Sequence, residues 1–208
     1  MQTKNYTTDL LPLIKALCGI EFSSIELPRV KAMVNSRAKR AFRASDYWPR
    51  FLVVGEERVV TSGVVPWTEA TLDTIDTFLR IQRTEPFVEA SAQDFDFTVR
   101  LSGAVLVDGS LNSTSAFVTY KSYNSSVYGD GTNGTQVLIP DEWFEYLAHG
   151  VYSDWLRAEG QMEKAALADL EASDKLTDEL LRVDEMGSPN LVSSRYRTNA
   201  NMQGRWSN

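Results

Sequence analysis

The chain has one cysteine, Cys18, and one histidine, His149. A lone cysteine cannot close an internal disulfide, and the two together cannot furnish a Cys/His zinc centre or a conventional Cys-His nucleophile pair. Long apolar runs are missing as well. The longest, residues 10–18, is interrupted by Pro12 and Lys15 and falls short of the roughly 18 residues that a membrane-crossing helix needs. The opening residues lack the basic-then-apolar order of a secretory signal, so the expectation is folding in a reducing cytoplasm with no membrane association. In that setting the N-x-[ST] triplets at Asn112, Asn124 and Asn133 read as turn chemistry rather than as glycosylation sites. No phosphate-cradling glycine loop, GxSxG elbow or dinucleotide GxGxxG occurs. A net charge of −7 over 208 residues disfavours a freestanding nucleic-acid binder, although a localised basic surface is compatible with it.

With 43% apolar and 24% charged residues, the chain has the composition of an ordinary globular protein of one large or two small domains. Leu10, Leu11, Leu13, Ile14, Leu17 and Cys18 recur at helical spacing, and Gly19 follows where a C-cap glycine belongs. A second helix is announced by Ser23-Ser24-Ile25-Glu26, a capping-box pattern, with Pro28 suited to a first turn. It runs to about Ala44 with an apolar stripe of Val30, Met33, Val34, Ala38, Ala41 and Phe42. Residues 29–50 carry seven Lys and Arg against the single acid Asp46, which makes this helix the main basic surface.

Beyond Trp48-Pro49 the period shortens toward two, and β-branched and aromatic residues alternate between Gly, Asn and Asp. The predicted strands cover 50–54, 58–61, 74–83, 95–101, 104–107, 115–123 and 136–139, a set suited to a small sandwich or partly closed sheet. Residues 124–135 read as a long polar hairpin tip. At Pro140 the helical period returns. Trp143, Phe144, Leu147, Ala148, Val151, Tyr152, Trp155 and Leu156 cover so much of the circumference that this helix should be central, and Gly150 inside it should mark a close approach by a neighbouring element. After Gly160 a long helix to about Glu185 carries Ala165, Ala166, Leu170, Leu176, Leu180 and Leu181, and it should close an antiparallel hairpin. Residues 141–185 hold thirteen acids against four bases.

The fold class expected is therefore α+β: a helical bundle of two N-terminal helices (1–49) and a C-terminal hairpin (140–185), an inserted antiparallel β-domain (50–139), and an extended tail (186–208). The tail has no acid but retains Arg195, Tyr196, Arg197, Met202, Arg205 and Trp206, residue types that anchor interfaces. His149, without a nucleophile partner, reads as structural or interfacial. The glycine-rich stretch at 129–134 lacks the spacing and final acid of a calcium loop. The acids of the last helix, interleaved with Lys164, Lys175 and Arg182, read as a solvated face or subunit contact rather than as catalytic pairs. No catalytic residue, cofactor or metal ligand is expected.

Three stretches carry a family resemblance: residues 43–58, centred on Asp46-Tyr47-Trp48-Pro49-Arg50-Phe51; Asp76-Thr77-Phe78-Leu79-Arg80-Ile81; and residues 139–165. The last combines a proline-started aromatic helix, Ile139-Pro140-Asp141-Glu142-Trp143-Phe144, its internal Gly150, and Gly160-Gln161-Met162-Glu163-Lys164-Ala165. In this order they resemble the head-to-tail adaptor, or connector, proteins of tailed bacteriophages over about residues 8–185. The resemblance implies a non-enzymatic virion protein of the neck, assembled in the host bacterial cytoplasm. It would form a homo-oligomeric ring, commonly of twelve copies, docked on the portal and facing a tail or nozzle protein, with DNA passing through the lumen without sequence-specific binding. It places a portal contact on Arg195, Tyr196, Arg197, Met202, Arg205 and Trp206. The opposed charges of the second helix and the acidic hairpin place a subunit contact on Arg37, Lys39, Arg40 and Arg43. The alternative from another class is a β-sandwich binding module, glycan-binding or capsid-decorating, that uses Tyr120, Tyr123 and Tyr128.

Overall fold

A computed structural model describes residues 3–86, 94–107, 115–129 and 138–187. Along the chain these form β1 (Thr3–Lys4), a π-helical turn (Tyr6–Leu10), α1 (Leu11–Cys18), α2 (Leu27–Ala44), β2 (Leu52–Val59), β3 (Val64–Val65), β4 (Ile75–Gln82), β5 (Phe97–Arg100), β6 (Gly103–Leu106), β7 (Ser115–Ser122), β8 (Ile139–Pro140), a 3-10 turn (Asp141–Trp143), α3 (Phe144–Ala158) and α4 (Met162–Gly187). The fold is α+β. It divides into two compact units: a helical one from the described residues of Met1–Ala44 and Tyr128–Asn208, and a strand-rich one from Ser45–Val127.

In the strand-rich unit β2, β7 and β4 form one antiparallel sheet and β3, β6 and β5 another, and residues from both share a single apolar core that includes Phe78, Ile81, Leu106 and Val118. The two strands predicted over 50–54 and 58–61 are one strand, β2, whose register on β7 shifts between Val53 and Glu56. Gly55 sits in that bulge at φ +64°, and a Cβ there would lie 2.4 Å from Pro86 Cγ, so both backbone and space require glycine. The strand predicted over 136–139 belongs elsewhere. Of its described part, Leu138 and Ile139, the latter is in β8, which pairs with β1 in the helical unit.

The helical unit is built by local signals that tertiary packing then uses. Asn5 Oδ1 accepts the Thr7 N–H at 2.8 Å while Asp9 Oδ2 accepts the Asn5 N–H at 2.6 Å, a reciprocal cap on the first turn. Pro12 falls in the first turn of α1, where its missing donor has no intrahelical partner, and Gly19 ends the helix in the left-handed conformation. The Ser23 N–H donates to Glu26 Oε2 at 2.8 Å, one arm of the expected capping box, just ahead of α2. Val30, Val34, Ala38, Ala41 and Phe42 are buried along one side of α2.

Central in this unit is α3, packed against α1, α2 and α4. It meets α4 through small residues: Ala165, Ala168 and Ala172 are buried, and Ser153 Oγ donates to the Ala165 carbonyl at 2.8 Å. The large residues of α4 mostly face the other way, with Leu167, Leu170 and Leu181 exposed. On a different side, Gly150 of α3 accommodates Arg37 of α2, whose guanidinium lies across the helix and grips Asp154 in a two-pronged contact: Nε to Oδ2 at 2.8 Å and Nη2 to Oδ1 at 2.6 Å. Its third nitrogen, Nη1, reaches Asp169 of α4 at 2.8 Å.

A Cβ on Gly150 would stand 3.1 Å from Arg37 Cδ and 3.2 Å from Nε, and Arg37 cannot yield without lengthening those ion pairs. Gly150→Ala should therefore destabilise the protein by about 1 kcal/mol despite the better helix propensity of alanine. In an Arg37→Met background the same substitution should stabilise by up to about 1 kcal/mol, because only the propensity gain remains. Urea unfolding followed by helical circular dichroism reads the sign; the same sign in both backgrounds would refute the close-packing account.

Candidate interaction surface

The four basic residues assigned to a subunit contact separate into two groups. Lys39, Arg40 and Arg43 are exposed on α2 and make no ion pair among the described residues. Arg37 corrects the sequence reading. It is only 3% exposed and is held by Asp154 and Asp169 of its own chain, so it is not available to a neighbour. The signal for this was positional, since Arg37 stands three residues after Val34 and four before Ala41, on the buried stripe rather than opposite it. Burial alone would lower its pKa, but hydrogen bonds to Asp154, Asp169 and Tyr146 and the charge of Asp154 raise it instead. Asp169 is also bound by Arg157, Nη2 to Oδ2 at 2.7 Å, and these partners outweigh desolvation to hold its carboxyl below the ordinary 3.8.

The tyrosines of the binding-module alternative do not form one exposed face. Tyr120 and Tyr128 are buried and Tyr123 is exposed. The Tyr120 hydroxyl donates to Glu56 at 2.6 Å and accepts from Arg58, whose guanidinium lies 4.7 Å from the Tyr120 ring centroid inside the strand-rich core. Desolvation and the Glu56 contact push this phenol well above its usual range. Tyr128 is tied to α2, where Asn35 Oδ1 accepts its N–H at 2.8 Å and Asn35 Nδ2 donates to its carbonyl at 3.0 Å. That double contact is why the helical unit resumes at Tyr128, ahead of Pro140.

A feature the sequence reading passed over is a cleft of about 450 Å³ between the start of α3 and the C-terminal half of α4. Its charged lining is Asp141, Glu142 and Glu145 from one side and Asp178 and Glu179 from the other, against Lys4 and Lys175. Lys175 is committed to Glu145 at 2.8 Å and Glu179 to Arg182 at 2.8 Å, whereas Asp141, Glu142 and Asp178 have no ion partner among the described residues. Desolvation raises the pKa of Glu179 and outweighs the opposing charge of Arg182, with the charges of Glu142, Asp141 and Asp178 acting in the same direction as desolvation. The acids were visible in the sequence as a net charge; that they converge required the hairpin.

His149 Nδ1 lies 3.3 Å from Glu171 Oε2 across the α3–α4 hairpin, a contact that ties the two helices. Asn124 Oδ1 accepts the Ser126 N–H at 3.0 Å, the turn chemistry expected of it, while Asn112 and Asn133 lie outside the described residues. So do Arg195, Tyr196, Arg197, Met202, Arg205 and Trp206. Among the described residues no helix is long and apolar enough to cross a membrane, and no three Asp, Glu, His or Cys are grouped to hold a metal ion. No family model matches the chain, and comparison with curated proteins finds no matching relative.

Two outcomes follow from the separation of the bases. Arg37→Ala should cost about 3 kcal/mol, the low end for breaking a buried ion pair, since both acids keep Arg157 and some solvent. Lys39→Glu, Arg40→Glu and Arg43→Glu together should leave thermal unfolding within about 1 kcal/mol of wild type. Because the folded-state pKa of Asp169 is depressed, its contribution is complete above 3.8 and is lost as pH falls through the folded value. Asp169→Asn should accordingly be less stable than wild type at neutral pH, and the gap should narrow below about pH 4 in unfolding titrations.

Proposed function

We propose that the protein is a virion structural component that assembles head to tail with copies of itself into a ring at the neck between a phage head and its tail. The observation that carries this reading is the mismatch between surface and self-sufficiency in the helical unit. Lys39, Arg40 and Arg43 are charged, exposed and unpaired among the described residues, while α4 presents acids together with the exposed Met162, Leu167, Leu170 and Leu181. Of these, Leu167, Leu170 and Leu181 fall within one sector of the helix, and a contiguous exposed apolar patch is the usual mark of an interaction site. Two different patches on one subunit, basic and acidic-apolar, are what a heterologous contact requires, and such contacts close into rings.

The resemblance of residues 43–58, 76–81 and 139–165 to phage adaptors supports the same reading and supplies its setting, the portal on one face and a tail or nozzle protein on the other. In this reading the protein performs no catalysis. It is a spacer and gasket whose lumen DNA crosses without base contacts, and the basic tail with Arg195, Tyr196, Arg197, Met202, Arg205 and Trp206 reaches the portal. Tail residues 188–208 can extend at most about 75 Å, enough to leave the subunit's own body.

Electron microscopy of the purified protein with and without a phage portal ring tests this. Annular particles, or a collar added to the portal, are expected. Removing residues 193–208 should leave the melting behaviour unchanged while weakening portal attachment. A protein that stays monomeric and ignores portals would refute the adaptor reading. Glycan affinity in that same monomer would favour the binding module.

A further inference from the structure

The acidic cleft of the helical unit contains a carboxylate without a partner among the described residues. Glu142 is 9% exposed, lines the cleft and has neither a hydrogen bond nor an ion pair among the described residues. Placing most of a carboxylate side chain below the surface beside other acids favours a cationic partner. Glu179 faces the same space with Arg182 as its ion partner at 2.8 Å, and Lys175 is bound to Glu145. Asp141, Glu142 and Asp178 thus line the cleft without an ion partner among the described residues.

We propose that this cleft is the socket of the subunit contact and that it receives the guanidinium of Arg40 or Arg43 from α2 of a second copy. The inference rests on the ring reading and names its site. Three observations select this occupant. These arginines are exposed and have no acid partner among the described residues. Arginine offers a planar fork that can satisfy two carboxylate oxygens together, which suits the unpaired carboxylate of Glu142. The basic end of α2 also lies at the same end of the bundle as the cleft: the Phe42 ring packs edge-on to Trp143 at 6.5 Å, one residue beyond Glu142. Plug and socket at one level of the subunit suit copies related by rotation about a common axis.

The test uses the full chain carrying Cys18→Ser. One preparation adds Asp141→Cys at the rim of the cleft and the other adds Lys39→Cys beside the two arginines, and they are mixed with a short bis-maleimide at low salt while light scattering follows assembly. Covalent dimers between the two preparations are expected, with little product from either alone. Glu142→Gln should weaken association about tenfold without lowering the melting temperature, and added salt should act in the same direction. If oligomers form but no cross-preparation dimer appears, or if Glu142→Gln assembles as wild type does, the socket is wrong and the ring reading stands. If neither oligomer nor cross-link appears at any concentration, the socket falls together with unaided ring formation.

Discussion

The helical unit turns on one buried cation. Arg37 enters from α2, crosses α3 at the one position without a side chain, and reaches an acid on α3 and another on α4. A buried ion pair of this kind is weak evidence of stability, because desolvating the charges offsets much of their attraction. Its consequence is geometric. Removal of any partner leaves a charge unsatisfied, so the three helices are held in one register where purely apolar contacts would tolerate several. Gly150, Asp154 and Asp169 therefore act as a set, and Arg157 completes it by holding the outer side of both acids.

This junction also changes the meaning of the charge pattern. In sequence the basic α2 and the acidic hairpin look like two complementary surfaces. Part of that complementarity is consumed inside the subunit, where Arg37 pairs with Asp154 and Asp169 and Arg157 neutralises the same acids. What is left outward is smaller and more specific: three bases at the end of α2 and a set of acids around the cleft. Exposed ion pairs contribute about 0 to 1 kcal/mol each, so these groups set encounter and register better than they set affinity.

Much of the framework was legible from residues alone, for reasons that can be named. Gly19, Ser23 with Glu26, and Pro140 mark helix ends through backbone chemistry that acts locally, and the structure uses all three as boundaries. Gly150 was legible as a close approach because nothing local explained it. Its partner was not, since Arg37 and Asp154 are separated by 117 positions, and a period that tracks only apolar residues assigns an arginine to the outside by default. Two-residue strands were illegible for a related reason: β1 and β8 have too few residues to show a period and exist only through each other. Tyr128 belongs to the helical unit because Asn35 binds its backbone, a contact that no composition shift announces. The basic tail, read from its sequence as an anchor, lies outside the described residues.

The orientation of α4 connects these points. An apolar count alone would turn its leucines toward the bundle, yet the inward positions are Ala165, Ala168, Ala172 and Val183. Small residues let the axes of α3 and α4 come close enough for Ser153 to donate to the Ala165 carbonyl and for Asp169 to reach Arg37, neither of which a leucine-filled interface would allow. The price of that closeness is that Leu167, Leu170 and Leu181 remain in solvent. Each leucine left exposed forgoes roughly 1.5–3 kcal/mol of burial, a larger quantity than the nearby charges can supply in water. The same constraint that brings Arg37 its second acid thus leaves an apolar face on the outside of α4, and a contact made there would draw its strength from leucine burial and its register from the charges beside it.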